Sequence, residues 1–284
     1  MNLLKIKDTY QYAMHGNGAY KGLRQTNTED ALIYWYRKGV RIFEIDMAKT
    51  SDSEYVALAH HLNRKDLRRL EIFDLPEKCT SKWFMGHKLF SISTKGLKPL
   101  SLRLIIELLI KYNDMVVMLD LFGLFTSEET AMFVENLSHY IGNNVEIWDR
   151  LLIESYNKEM VTGIRNVTAR ANIIACVRFE KNEDDKTTVT PQELLSKNIR
   201  FISYPWYCTL KHPGEIVNFS KNGITVFSRT KDNTLDMRLK RAGVSVNIIA
   251  QRYDGARIIY QYPLYIMSYL KRIFIKVYIK LRYR

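Results

Sequence analysis

Short β-branched or aromatic runs alternate along the chain with longer segments of helical period, the pattern of a parallel sheet whose crossover helices lie outside it. The predicted strands are 10–15, 40–47, 115–121, 149–154, 171–178, 199–204, 223–229 and 244–249. Eight such strands are the number that closes a barrel. Segment 27–38 opens with Asn27-Thr28-Glu29-Asp30, a capping residue followed by first-turn acids, and ends at Lys38-Gly39. Segments 101–112, 127–141, 190–197 and 231–242 read as helices in the same way, with Ser101 and Ser127 as N-caps and Gly142 and Gly243 at the carboxyl ends. Residues 64–100 break the alternation, holding Pro76, Cys79, Trp83, Gly86, Gly96 and Pro99 without a sustained period. They read as an insertion after the second strand unit, placed over one barrel end.

The expected fold class is therefore α/β: a (β/α)8 TIM barrel over 1–260, with a small insertion at 64–100 and a basic amphipathic C-terminal helix over 261–284. A length of 284 residues suits one barrel of roughly 250 residues plus that tail. With 46% hydrophobic and 26% charged residues, the composition excludes a disordered, collagenous or multi-pass membrane chain. No stretch reaches the roughly 20 apolar residues of a spanning helix. The N-terminus lacks the apolar core of a secretory signal, and Cys79, Cys176 and Cys208 are odd in number and scattered. Export, a disulfide framework and a zinc site are not expected, and a reducing, cytoplasmic setting is.

Charge sharpens the picture. Lys and Arg number 43 against 30 Asp and Glu, a formal +13, which points to an anionic partner: nucleic acid, a phosphorylated substrate or an acidic membrane surface. The excess is uneven. No acid follows Asp254, and Lys271, Arg272, Lys276, Lys280, Arg282 and Arg284 place six cations in the last fourteen residues, leaving +7 on the remainder. Arg272, Lys276, Lys280 and Arg284 recur every four residues, while Ile273, Phe274, Val277, Tyr278 and Leu281 fill the other positions. That is the layout of an interfacial helix, so 262–284 is expected to meet an anionic membrane surface, peripherally on the inner face; the other reading is the barrel's last helix with a basic end. No element interleaves basic and aromatic residues as a nucleic-acid reader does, so nucleic acid is not expected as a partner.

The chemistry concentrates in the first 61 residues. A strand ends in His15-Gly16-Asn17-Gly18, a helix opens at Thr26–Leu32, the next strand is RIFEIDMAKT over 41–50, and YVALA leads into His60-His61. Functional groups of a barrel gather at the carboxyl ends of its strands, where His15, Glu44, Asp46 and His60 all fall. Glu44 and Asp46 are two apart on one strand and share a face. Two carboxylates facing an apolar interior are most cheaply compensated by an oxygen-preferring divalent cation, and Asp120, closing the run MVVMLD, is the natural third. Carboxylates without His or Cys favour Mg²⁺ or Ca²⁺ over zinc. Asn27 reads most simply as a helix cap. Glu154 reads either as a further metal neighbour or as a solvated loop acid.

HGNG (15–18), TNT (26–28), GVRIFEID (39–46), TSDSEYVALAHH (50–61) and LNR (62–64) resemble, in order and spacing, the motifs of the glycerophosphodiester phosphodiesterase family, within the phosphatidylinositol-phospholipase-C-like barrels. Weaker similarity runs over most of 10–250. The resemblance implies a bacterial, lipid-metabolic phosphoric diester hydrolase. In it His15 and His60 are the general acid/base pair, Glu44, Asp46 and Asp120 hold a divalent cation, and the substrate is a small phosphodiester, most simply a glycerophosphodiester cleaved to glycerol phosphate and an alcohol. The family's H-R pair reads His15-Gly16 here, its H-D reads His60-His61, and Phe122 stands where a lysine follows the third carboxylate. Arg178 and Arg229 at later strand ends, and Arg24 after the first strand, are the substitute phosphate-binding cations. Two other readings stay open: a phosphodiesterase acting on a surface glycan or phospholipid headgroup, and a catalytically weak barrel that binds such a headgroup.

Overall fold

The computed structural model describes residues 12–23, 25–58, 62–74, 76–176, 189–230 and 236–249. All eight predicted strands are present: β1 Tyr12–Met14, β2 Ile42–Lys49, β4 Val116–Asp120, β5 Leu151–Ser155, β6 Asn172–Cys176, β7 Phe201–Pro205, β8 Thr225–Thr230 and β9 Val246–Ile249, with a short β3, Tyr55–Ala57, between the second and third of them. The eight pair in parallel in the order β1-β2-β4-β5-β6-β7-β8-β9, and β9 returns to β1, so the sheet closes into a (β/α)8 barrel. β3 lies outside this ring, antiparallel on the far end of β2 through Met47–Ala57, Ala48–Val56 and Lys49–Tyr55.

Alternation along each strand sorts two apolar layers. Ala13, Ile42, Val116, Met118, Leu152, Ile174, Phe201, Phe227, Val246 and Ile248 fill the barrel interior. Their neighbours, among them Phe43, Ile45, Val117, Leu119, Ile153 and Val226, pack outward with the helices. Burial on both faces is why these strands read as continuous apolar runs. Towards the carboxyl ends the inward set turns polar: Ile42 gives way to Glu44 and Asp46, Met118 to Asp120, Leu152 to Glu154, Ile174 to Cys176 and Phe227 to Arg229. The site stands on this apolar floor.

The helices begin where side chains can satisfy the first backbone N–H groups. Ser101 caps Leu102–Lys111 as expected, its Oγ accepting from Leu104 N at 3.2 Å. Two expected caps move by one residue. Thr126, not Ser127, caps Ser127–Ile141, with Glu129 closing a reciprocal capping box, and Thr28, not Asn27, caps Glu29–Arg37. Lys158–Val167, Trp206–Lys211 and Pro213–Lys221 are further helices. The first of these packs tightly on Ser127–Ile141, since a Cβ added at Gly163 would lie 2.3 Å from the Ser127 carbonyl oxygen.

Residues 64–100 contain three short helices, Arg64–Arg69, Ser81–Met85 and Ser91–Thr94. Leu67, Leu70, Ile72, Phe84, Leu89 and Phe90 form a small core of their own against Ala48, Val56 and Leu58, fastening the insertion to the extension of β2 and β3. Among the described residues no helix is long and apolar enough to cross a membrane. The expected tail helix over 261–284 lies outside the described residues.

Candidate active site

Glu44 and Asp46 come from β2, Asp120 from β4, Glu154 from β5 and Arg229 from β8. His15 begins the 3₁₀ turn that follows β1. The four carboxylates are buried, Glu44, Asp120 and Glu154 completely. Glu44 belongs to two groups of possible ligand atoms lying within 4.8 Å of one another, one with His15 and Asp46, the other with Asp120 and Glu154.

The β1 turn is shaped to meet Glu44. Gly16 adopts a left-handed φ of 55° and donates its backbone N–H to Glu44 Oε2 at 2.7 Å. A Cβ there would meet Gln25 Cβ at 2.7 Å. The arginine that the resembled motif carries at this position has no room, and Gly16 instead supplies a backbone N–H to the buried Glu44 carboxylate. Gln25 Nε2 lies 2.7 Å from His15 Nδ1. An amide nitrogen only donates, so Nδ1 accepts and the ring proton sits on Nε2, the atom 3.7 Å from Glu44 Oε1.

Asn27, expected as a helix cap, performs a different task. Held at φ 49° and buried, it donates from Nδ2 to Asp46 Oδ2 at 2.7 Å and accepts from the Asp46 N–H at 3.3 Å. Both bonds orient the Asp46 carboxylate. Asn27 stands in the TNT motif, but that motif does not say that its side chain reaches Asp46, and no pattern marks Gln25, whose partner is set by the folding back of the β1 turn.

On the opposite side, one nitrogen of Arg229 gathers three acids: Nη2 lies 2.7 Å from Glu154 Oε2, 2.9 Å from Asp120 Oδ2 and 3.3 Å from Glu44 Oε1. Tyr156 donates its hydroxyl towards Asp120 Oδ1 at 2.8 Å and Glu154 Oε2 at 3.0 Å, and Cys176 Sγ approaches Glu154 Oε2 at 3.2 Å. Glu154 is thus not the solvated loop acid of one sequence reading. Burial, then the Asp46 charge, push the Glu44 carboxyl well above the usual carboxylate range, against the pull of Arg229. Burial raises Glu154 too, again opposed by Arg229. For Arg229, burial alone would lower the guanidinium, but Glu154, Glu44 and Asp120 hold it well above its ordinary value. Burial and then the Glu154 charge push the Cys176 thiol up.

Of the residues singled out in the sequence, His15, Glu44, Asp46, Asp120 and Arg229 come together at this one rim. His60, Arg24 and Arg178 lie outside the described residues. Phe122, in the place of the family's lysine, donates its backbone N–H to Asp120 Oδ1 at 2.9 Å and packs its ring edge-on against Phe125 and Tyr156. A cavity of about 440 Å³ opens beside it, lined by Met47, Lys49, Leu62, Asn63, Phe122, Gly123 and Leu124.

Solved structures with the same barrel are similar over most of their length. One is a glycerophosphodiester phosphodiesterase from Parabacteroides distasonis, 16% identical, with a TM-score of 0.66, covering 84% of this chain and 92% of that one. The chain has the fold of the glycerophosphodiester phosphodiesterases. A candidate glycerophosphoryl diester phosphodiesterase from Silicibacter pomeroyi aligns at 15% identity and a TM-score of 0.66 over 91% of this chain and 94% of that one. An Oleispira antarctica phosphodiesterase, solved with its product sn-glycerol-3-phosphate, aligns at 17% identity and a TM-score of 0.65 over 84% and 92%. No family model matches the sequence, and no curated protein sequence matches it.

Proposed function

We propose that this rim cleaves a phosphodiester, most simply a glycerophosphodiester, to glycerol phosphate and an alcohol. The observation that carries the reading is the meeting of His15, Glu44, Asp46 and Asp120 at the carboxyl end of a glycerophosphodiester phosphodiesterase-type barrel. The donor set fits a hard divalent cation: buried carboxylates crowd one another, and among the described residues Glu154 Oε1 is buried without a hydrogen-bond partner. Glu44 and Asp46, with His15 beside them, would hold Mg²⁺ or Ca²⁺, which supplies polarisation of the phosphoryl oxygens and a lower pKa for the attacking hydroxyl.

In the tautomer that Gln25 imposes, His15 rests neutral with its proton on Nε2. To act as the acid it takes a second proton at Nδ1, with the Gln25 amide turned to offer its oxygen, and the imidazolium then gives the Nε2 proton to the leaving alkoxide and returns to neutral. His60 takes the proton of the nucleophile, a substrate hydroxyl or water. Arg229 binds the phosphate: its Nη2 is anchored among carboxylates while Nε and Nη1 make no hydrogen bond among the described residues, and the side chain is 33% exposed. Arg24 and Arg178, outside the described residues, are the further cations proposed for the phosphate. The product complex of the Oleispira antarctica enzyme supports a small phosphodiester substrate that yields glycerol phosphate.

Hydrolysis of glycerophosphodiesters with added Mg²⁺ or Ca²⁺ tests this. His15→Ala is expected to lose about 10²–10⁴-fold in rate, the usual share of one acid/base group, and Glu44→Ala to lose cation-dependent turnover. Purified protein that turns over no phosphodiester with any divalent cation would overturn the reading. The aromatic group Phe122, Phe125 and Tyr156 beside Asp120, with Phe125 40% exposed, favours a second substrate class with an apolar or ring-bearing headgroup. We further propose a cytoplasmic protein whose residues 262–284 meet anionic lipid; truncation after Tyr260 that leaves vesicle binding unchanged in a folded protein refutes this.

A further inference from the structure

We propose that Arg229 and Glu154 form a built-in cation clamp that claims Asp120, confining any divalent ion to Glu44 and Asp46 and weakening its binding. The inference rests on the reading above that this rim holds a divalent cation. It differs in taking the third carboxylate out of the ion's own shell.

Hydrogen counting leads to it. An Nη2 nitrogen carries two hydrogens, yet three carboxylates surround it. The shorter contacts, 2.7 Å to Glu154 and 2.9 Å to Asp120, take those hydrogens, and the 3.3 Å contact to Glu44 is left as charge attraction. Asp120 is occupied on both oxygens: Oδ2 by Arg229, and Oδ1 by the Phe122 N–H and the Tyr156 hydroxyl. Glu154 Oε2 takes Arg229 and Cys176 and shares with Asp120 Oδ1 the single hydrogen of the Tyr156 hydroxyl, which makes it the anchor of the guanidinium. Glu44 is bound differently. Among the described residues its Oε2 takes only the Gly16 N–H, and its Oε1 faces both the His15 ring and Arg229 at more than 3 Å.

Charge gives the same division. Glu44, Asp46, Asp120 and Glu154 would together carry four negative charges, and Arg229 neutralises one of them from the side of Asp120 and Glu154. An ion placed at Glu44 and Asp46 meets a fixed positive charge a few ångströms away, in a setting where solvent screens weakly. The sequence departures fit this arrangement. Phe122 cannot supply the positive charge of the family's lysine, and Arg229 delivers one to the same carboxylate from across the barrel.

Calorimetric titration of the full chain with CaCl₂ and with MgCl₂ tests the clamp, with folding of each variant checked by circular dichroism. Arg229→Gln is expected to bind the ion at least about tenfold more tightly, less than bare Coulomb attraction would give because salt screens part of it. Arg229→Lys, which keeps the charge, stays near the wild type. Asp120→Asn changes wild-type affinity by less than about threefold but weakens Arg229→Gln by at least about tenfold, because only there is Asp120 released to the ion. An Arg229→Gln affinity equal to or below wild type overturns the clamp. So does an Asp120→Asn loss in the wild-type background as large as that of Glu44→Gln. If no variant binds either ion and turnover proceeds with chelator present, the cation of the proposed function falls as well; unchanged affinity alongside ion-dependent turnover overturns the clamp alone.

Discussion

Asn27→Gly isolates the support of Asp46 from the rest of the site. The side chain makes one bond to a charged oxygen at 2.7 Å and one weaker bond from the Asp46 N–H at 3.3 Å, both buried. Removing a buried hydrogen bond to a charged partner costs about 1.5–3 kcal/mol. Glycine accepts the left-handed backbone at this position without strain, but frees the unfolded chain by a further 0.5–1 kcal/mol or so. A loss of about 2–4 kcal/mol by urea denaturation is therefore expected. Asn27→Asp refines the test. It keeps an acceptor for the Asp46 N–H but sets a second carboxylate against Asp46 Oδ2, and the two then share a proton. That proton raises the pair's folded pKa above the unfolded value near 3.9, so stability is present at low pH and lost as pH rises through the folded pKa. The deficit of Asn27→Asp should be larger at pH 7 than at pH 5. Equal deficits at both pH values, or an Asn27→Gly protein within about 0.5 kcal/mol of wild type, would refute the assigned bonding.

Three further outcomes follow from the fold. Gly163→Ala should lower the melting temperature through an overpacking cost of about 1–3 kcal/mol, despite alanine's better helix propensity, because its Cβ would sit 2.3 Å from the Ser127 carbonyl oxygen. Thr126→Ala should cost about 1 kcal/mol by chemical denaturation through loss of the cap, while Ser127→Ala stays within about 0.5 kcal/mol. Burial favours the neutral form of Asp114, but its bonds from Tyr36 and Arg41 outweigh this and leave its carboxyl below the usual range. A lowered pKa gives stability that is present above about pH 3.9 and lost as pH falls towards the folded value. In acid denaturation Asp114→Asn should therefore show a smaller fall than wild type in that window.

Strand periodicity exposed the barrel because each strand is apolar on both faces and bounded by loops, and those properties are local. The Glu44–Asp46 pair was equally legible, since two residues apart on a strand fixes a shared face whatever surrounds it. Glu154 stayed ambiguous for a physical reason. A lone acid at a strand end reads alike whether it faces water or an arginine 75 positions away in sequence. The caps slipped by one residue at Asn27 and Ser127 because two adjacent residues were both good cappers: Asp46 draws Asn27 away, and Glu129 closes a capping box with Thr126. Helix Lys158–Val167 did carry a usable start signal, as Asn157 accepts from Met160 N at 2.8 Å. Gln25 carried none: its partnership with His15 exists only once the β1 turn has folded back on itself.

The apolar floor beneath the rim has a consequence for traffic. Phe201, Phe227, Met118 and Ile174 plug the barrel below the carboxylates, so nothing passes through to the other end. The substrate of the proposed reaction must enter, and both its products must leave, by the same mouth. In the proposed reaction the product still bearing phosphate keeps the group that Arg229 grips, while the released alcohol loses it. The alcohol then departs first, and the phosphorylated product, until it follows, occupies that mouth. Its inhibition should be competitive with substrate, with the alcohol a much poorer inhibitor.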